Sequence, residues 1–73
     1  MKLFILNDNV NTFENVVESI QMYLNYPYMQ GVSIAHIVHN NGECLVKESL
    51  DSELMTELYE GLVKRGIKVK LEI

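Results

Sequence analysis

Polar side chains crowd one bend near the start of the chain, where Asn7, Asp8, Asn9 and Asn11 fill four of five positions. A turn and helix cap needs about two such residues, because Asn and Asp can bond their own neighbouring backbone. A carboxylate, an amide and an imidazole together suit an ammonium group, which has three N–H donors. If the fold brings the imidazole of His39 to this bend, Asn7, Asp8 and His39 are the candidate ammonium-binding residues. We assign Asn9, Asn11 and Thr12 to turning and capping; the alternative is that the whole bend is turn chemistry facing water.

Other residue types that could do chemistry lack partners. His36 and His39 stand three apart, a spacing that can place two metal ligands on one helix face, but nothing near them in sequence completes a site. Cys44 is the single cysteine and falls inside a predicted strand, without a helix N-terminus or local cation to lower its pKa. We therefore expect no metal, no cofactor and no enzymatic activity.

Composition limits the partners. The chain has 73 residues, and we expect it to form one domain, residues 1–73, with a thin core. Its formal net charge of −4 disfavours nucleic acid and anionic membranes and favours cationic groups. The apolar run Leu3–Leu6 is too short for a signal peptide or a membrane span, so we predict a cytoplasmic protein.

Three helices are predicted from apolar spacing. The first has the i, i+3, i+4, i+7 pattern of an amphipathic helix and is capped by Asn11 or Thr12. The second follows Pro27 and runs to about Val38, and the third begins after Ser49 or Asp51 and ends before Gly66. The apolar residues that define the first and third helices are Phe13, Val16, Val17, Ile20 and Leu24, then Leu50, Leu54, Leu58 and Leu62.

Three strands complete the pattern. Lys2–Leu6 and Glu43–Glu48 are short apolar or mixed runs, and 67–73 alternates strictly between apolar and charged residues. A last strand with one solvated face favours a small antiparallel sheet with all three helices on the other face. The predicted fold is α+β in the order β-α-α-β-α-β.

Three segments resemble the ClpS-type adaptors of the Clp ATP-dependent protease: Leu6–Asn9, Asn11–Glu14 and Val38–Gly42. The family pattern is a strand ending in Asn-Asp-Asp, an aromatic-Thr-Pro-Met-Glu helix start, and Val-His-x-x-Gly at the end of the second helix. The resemblance implies a non-enzymatic receptor for large hydrophobic N-terminal residues of substrate proteins, which it delivers to a Clp-family AAA+ unfoldase. Asn7, Asp8 and His39 would then bond the substrate α-ammonium. The residues that would line the pocket for the first side chain are Leu6, Phe13, Val16, Ala35 and Val38.

The chain also departs from that pattern. Asn9 stands where a second Asp is common, Phe13 where the family has a gating Met, and Ala35 where a second Met is common. The larger Phe13 adds volume to one wall of the implied pocket and the smaller Ala35 removes volume from the other, so we predict a reshaped pocket of similar volume. The family's Ala-Glu-x-Lys-like unfoldase contact is replaced by Leu54–Leu58, and we expect no N-terminal extension because the strand begins at Lys2. The alternative is a protein–protein or self-association module of the same fold without a working pocket, as in the C-terminal domain of the ribosomal stalk protein.

Overall fold

Three strands and three helices follow one another in the predicted order in a computed structural model that describes residues 1–73. The α+β class and the three-stranded antiparallel sheet are confirmed. The elements are β1 (Lys2–Leu6), α1 (Phe13–Leu24), α2 (Tyr28–Asn41), β2 (Glu43–Glu48), α3 (Ser52–Lys64) and β3 (Val69–Glu72).

The sheet has the order β2-β1-β3, so the first strand lies in the middle. Phe4 pairs with Leu45 on one side and with Lys70 on the other. The register of β2 shifts between Leu3 and Phe4, and Val46 is the extra residue of this bulge. The Tyr26 hydroxyl donates to the Val46 carbonyl oxygen at 2.5 Å, which fixes the segment between α1 and α2 against the bulge.

The core lies between the sheet and the helices. Leu3 and Ile5 of the central strand are 0% and 1% exposed and pack with buried residues of all three helices. Phe4, on the opposite face, is half-buried, and the Lys70 ammonium lies 4.6 Å from the centre of its ring. The helices therefore cover one face of the sheet, as the alternating last strand indicates.

The end of α2 differs from the prediction. The helix continues past Val38 to Asn41. Val38 is its last buried residue, so the apolar pattern ends there, but the helical backbone hydrogen bonds continue for about one more turn. Gly42 ends it at φ 92°, in the left-handed region, and donates its N–H to the Val38 carbonyl oxygen at 2.9 Å. His39 consequently lies in the last turn of the helix.

Two predictions at element ends were also wrong, the place of Leu50 on α3 and that of Ile67 in β3, whereas Asp51 is one of the two expected caps of α3. Leu50 precedes α3 and is 98% exposed, since Asp51 caps the helix by accepting from the Leu54 N–H. Ile67 precedes β3 because its N–H donates to the Leu62 carbonyl oxygen at 3.0 Å and so closes the end of α3. No helix has the length and apolar character needed to cross a membrane.

Candidate functional site

A cavity of about 500 Å³ opens where the bend after β1 meets α1 and the second half of α2. The structure brings all eight predicted site residues to this cavity, although Asp8 and His39 are far apart in sequence. Its lining residues are Leu6, Asn7, Asp8, Asn9, Asn11, Phe13, Val16, Ala35, His36, Val38, His39 and Ile67.

The bend is held between two other parts of the fold. The Asn7 N–H donates to the Gly42 carbonyl oxygen at 2.9 Å, and the Leu6 N–H donates to the Lys68 carbonyl oxygen at 2.8 Å. The first bond places Asn7 beside the end of α2, and therefore on the same cavity wall as His39. Asn7 and His39 are exposed, and neither side chain forms a hydrogen bond within the protein.

Asp8 lines the cavity and also forms hydrogen bonds that shape the bend. This second role was not predicted from the sequence, because turning and capping were assigned there only to Asn9, Asn11 and Thr12. Its Oδ1 accepts from the N–H groups of Val10 and Asn11 at 2.9 and 2.8 Å, and its Oδ2 accepts from Asn11 Nδ2 at 3.0 Å. The Asn11 backbone bond is the main reason that the pKa of this carboxyl lies below its usual value, and the Asn11 side chain and Val10 N–H lower it further. Asp8 is therefore ionised at neutral pH, and its carboxylate is held in a fixed orientation at the cavity.

Thr12, one of the two expected caps, begins α1. Its hydroxyl accepts from the Asn15 N–H at 3.1 Å. Asn11 does not cap the helix, because its side chain bonds the Asp8 carboxylate, the Gly66 carbonyl oxygen at 2.6 Å and the Asn15 amide. The start of α1 is thereby fixed to the turn between α3 and β3.

The rest of the cavity is apolar. Ala35 is 3% exposed and contributes only a methyl group, so the wall on α2 is shallow there. Phe13 is 41% exposed and forms the rim, where its ring centre lies 4.9 Å from that of His36 at an interplanar angle of 56°. This tilted pair is a geometry that aromatic rings favour.

Four lining residues were not among the predicted site residues: Asn9, Asn11, His36 and Ile67. His36 had a usable signal, because it stands one helical turn before His39 and shares its face. Ile67 had none, since its place in the cavity depends on how the turn after α3 packs.

The comparison with protein families gives one match. The model of the family described as ATP-dependent Clp protease adaptor protein ClpS matches residues 1–67, which include every residue that lines the cavity. The chain belongs to the ClpS family. The comparison with curated proteins gives no match. Family membership assigns this chain the role of a Clp protease adaptor and confirms the resemblance seen in the sequence.

The remaining reactive side chains of this ClpS-family adaptor are not gathered into a second site. No group of three or more His, Cys, Asp or Glu side chains lies close enough together to hold a metal ion. Partial burial raises the pKa of the Cys44 thiol, which leaves little nucleophilic thiolate at neutral pH. The cavity therefore stays the candidate ligand site.

Proposed function

We propose that this adaptor binds the free N-terminal residue of substrate proteins when that residue has a large hydrophobic side chain, and delivers the substrate to a Clp-family AAA+ unfoldase. The observation that carries the proposal is a single cavity with two chemically distinct parts. One part has a fixed carboxylate beside unbonded amide and imidazole groups, and the other is apolar. An N-terminal residue has the same two parts: an ammonium and a side chain.

The polar part suits an ammonium. Asp8 is the one acidic residue that lines the cavity, and no Lys or Arg lines it, so the local charge attracts a cation. Asp8 Oδ2 accepts one hydrogen bond within the protein and has a lone pair left for a ligand. Asn7 Oδ1 and an unprotonated nitrogen of His39 supply two more acceptors, which matches the three N–H donors of an ammonium.

The apolar part suits the side chain. Burying a Phe or Leu side chain against such residues is worth roughly 1.5–3 kcal/mol. Ala35 leaves space at the wall, and the tilted ring pair of Phe13 and His36 offers a third aromatic ring an edge or a face at the rim. The cavity volume of about 500 Å³ is ample for one side chain and the backbone that bears it.

The test is the dependence of binding on a free α-amine. Acetylation removes the charge and two N–H donors, leaving Asp8 without its partner at a cost of about 1–3 kcal/mol, or roughly fivefold to more than a hundredfold in Kd. Fluorescence anisotropy should show tighter binding of a Phe-initiated peptide than of its acetylated form. A peptide of the same composition with Phe moved to the third position is the control for nonspecific hydrophobic binding. Equal affinity of the free and acetylated peptides would refute the proposal.

Delivery is a separate part of the proposal and needs its own assay. The start of α3 carries Leu54, which is exposed and belongs to the segment that the family resemblance implies as the unfoldase contact. Degradation of a Phe-initiated reporter by a Clp protease should accelerate when the adaptor is added and lose that acceleration with the Asp8→Ala variant. Peptide binding without any acceleration would restrict the function to recognition.

A further inference from the structure

A chain of side-chain hydrogen bonds connects the cavity to Arg65, the residue that ends α3. Asn11 Nδ2 donates to Asp8 Oδ2 at 3.0 Å, Asn15 Nδ2 donates to Asn11 Oδ1 at 2.7 Å, and an Arg65 Nη2–H donates to Asn15 Oδ1 at 3.0 Å. Arg65 also donates from Nε to the hydroxyl of the fully buried Ser19 at 2.8 Å. The guanidinium is therefore anchored at a fixed place on α1.

The two ends of this chain and two backbone carbonyl oxygens set its direction, since Asn11 Nδ2 also donates to the Gly66 carbonyl oxygen at 2.6 Å and Asn15 Nδ2 to the Arg65 carbonyl oxygen at 3.3 Å. A guanidinium can only donate, so Asn15 must turn its amide oxygen toward Arg65 and its NH₂ group toward Asn11. Asn11 must then accept with its oxygen and point its own NH₂ group at Asp8, which as a carboxylate can only accept. Two amides aligned between a fixed cation and a fixed anion polarise one another in the same sense.

We infer that Arg65 is a positioning residue for ligand binding: through the aligned amides of Asn15 and Asn11 it holds the Asp8 carboxylate with one oxygen directed into the cavity. This inference rests on the proposed function, since it concerns the same carboxylate. Arg65 does not line the cavity and touches no ligand there. Its effect is on the orientation of Asp8, so it changes the binding of the ammonium equally for every first side chain.

Three variants separate this role from simple structural support. Arg65→Met removes all donors at similar length, and Asn15→Asp keeps the acceptor for Arg65 but has no N–H for Asn11 Oδ1. In Asn15→Asp the Asn11 NH₂ group is expected to turn to the new carboxylate and away from Asp8. Glu18→Gln is the matched control, because it weakens the 3.5 Å ion pair of Arg65 and leaves the amide chain intact.

The binding experiment compares Phe- and Leu-initiated peptides, free and acetylated, in variants whose folding is checked by their amide NMR spectra. Arg65→Met and Asn15→Asp should weaken both free peptides by the same factor, about threefold to tenfold, which corresponds to the net contribution of one ordinary hydrogen bond. Arg65→Lys, still a pure donor, should recover part of the loss, and Glu18→Gln should bind as wild type. Wild-type affinity in both Arg65→Met and Asn15→Asp would overturn the inference while leaving the proposed function in place.

A second readout does not depend on any peptide. In an NMR titration of the carboxyl groups, the pKa of Asp8 should rise toward its ordinary value in Arg65→Met, because the Asn11 side-chain bond that lowers it is loosened. The rise should persist at about 1 M salt, where the Debye length is about 3 Å. The rise expected from Lys68→Met, which removes a cation whose charge lowers the pKa of Asp8, should shrink at that salt concentration. An unchanged pKa of Asp8 in Arg65→Met would overturn the inference, whatever the peptides show. The proposed function has a different refutation, which is that the wild-type protein binds free and acetylated peptides equally.

Discussion

Asp8 has two roles that two substitutions can separate. Asp8→Asn keeps an oxygen where Oδ1 accepts from the Val10 and Asn11 N–H groups, but it removes the charge. Asp8→Ala removes the charge and all three hydrogen bonds that the carboxylate accepts, from the Val10 and Asn11 N–H groups and from Asn11 Nδ2. We therefore expect the two variants to bind ligand equally poorly and to differ in stability.

The expected magnitudes follow from these contacts. A side chain that accepts backbone N–H groups at a helix cap is worth about 0.5–2 kcal/mol; Asp8 does the same in a half-buried bend that water reaches, so we expect about 1 kcal/mol for Asp8→Ala. In a domain of this size that lowers Tm by roughly 4–8 °C. Asp8→Asn should lose less than half of this. For binding, loss of a charged partner of the ammonium costs about 1.5–3 kcal/mol, or roughly tenfold to a hundredfold in Kd.

Thermal denaturation and anisotropy with a Phe-initiated peptide measure the two quantities. Acid titration adds a check, because a carboxyl whose pKa is lowered in the folded state stabilises the fold above its unfolded pKa of about 3.9. That contribution is lost as the pH falls through the lower folded value, and Asp8→Asn should lack this loss. Wild-type affinity in Asp8→Asn would show that the charge is not used in binding. Equal loss of Tm in both variants would refute the structural role assigned to Oδ1.

Three further predictions concern the cavity wall, the packing of α3 and the thiol. Ala35→Met should weaken Phe-initiated peptides more than Leu-initiated ones because it fills the shallow wall, and Phe13→Met should shift the preference the other way by opening the rim; an unchanged preference in both would contradict the reshaped pocket. Gly61→Ala should cost about 1–3 kcal/mol in urea denaturation, because its Cβ would lie 2.4 Å from the Tyr23 ring, whereas a shift below about 0.5 kcal/mol would mean that the ring moves aside freely. Cys44 should react more slowly with a disulfide reagent at neutral pH than a thiol in an unfolded peptide, and equal rates would contradict its raised pKa.

The order of elements was predictable because the elements are apolar runs or periodic patterns separated by clusters of turn-forming residues. The run Leu3–Leu6 stops at a cluster of polar residues, and the spacing from Phe13 to Leu24 matches one helical face. The boundaries were less accurate where burial and backbone bonding end at different residues. At α2 the core-facing pattern ends at Val38, but the helix ends only where Gly42 takes a positive φ.

The candidate site was predictable in its members but not in its internal bonding. Residues near 8 and near 39 were joined by family resemblance, because local periodicity cannot show which segments of a chain meet. The bonds of Asp8 depend on the backbone angles of the residues that follow it, which residue types alone do not determine. The bonds from Arg65 to Asn15 and Ser19 span 50 and 46 residues and involve polar side chains that have no periodic signal.

The central claim is that the cavity receives an N-terminal residue by its ammonium and its side chain together. Its most direct test is an NMR titration of the ¹⁵N-labelled protein with a short Phe-initiated peptide and with the acetylated form. The free peptide should shift the amide signals of Asn7, Ala35 and His39, which surround the cavity, and the acetylated form should shift them only at much higher concentration. The same shifts at the same concentrations from both peptides, or shifts confined to residues outside the cavity, would contradict it.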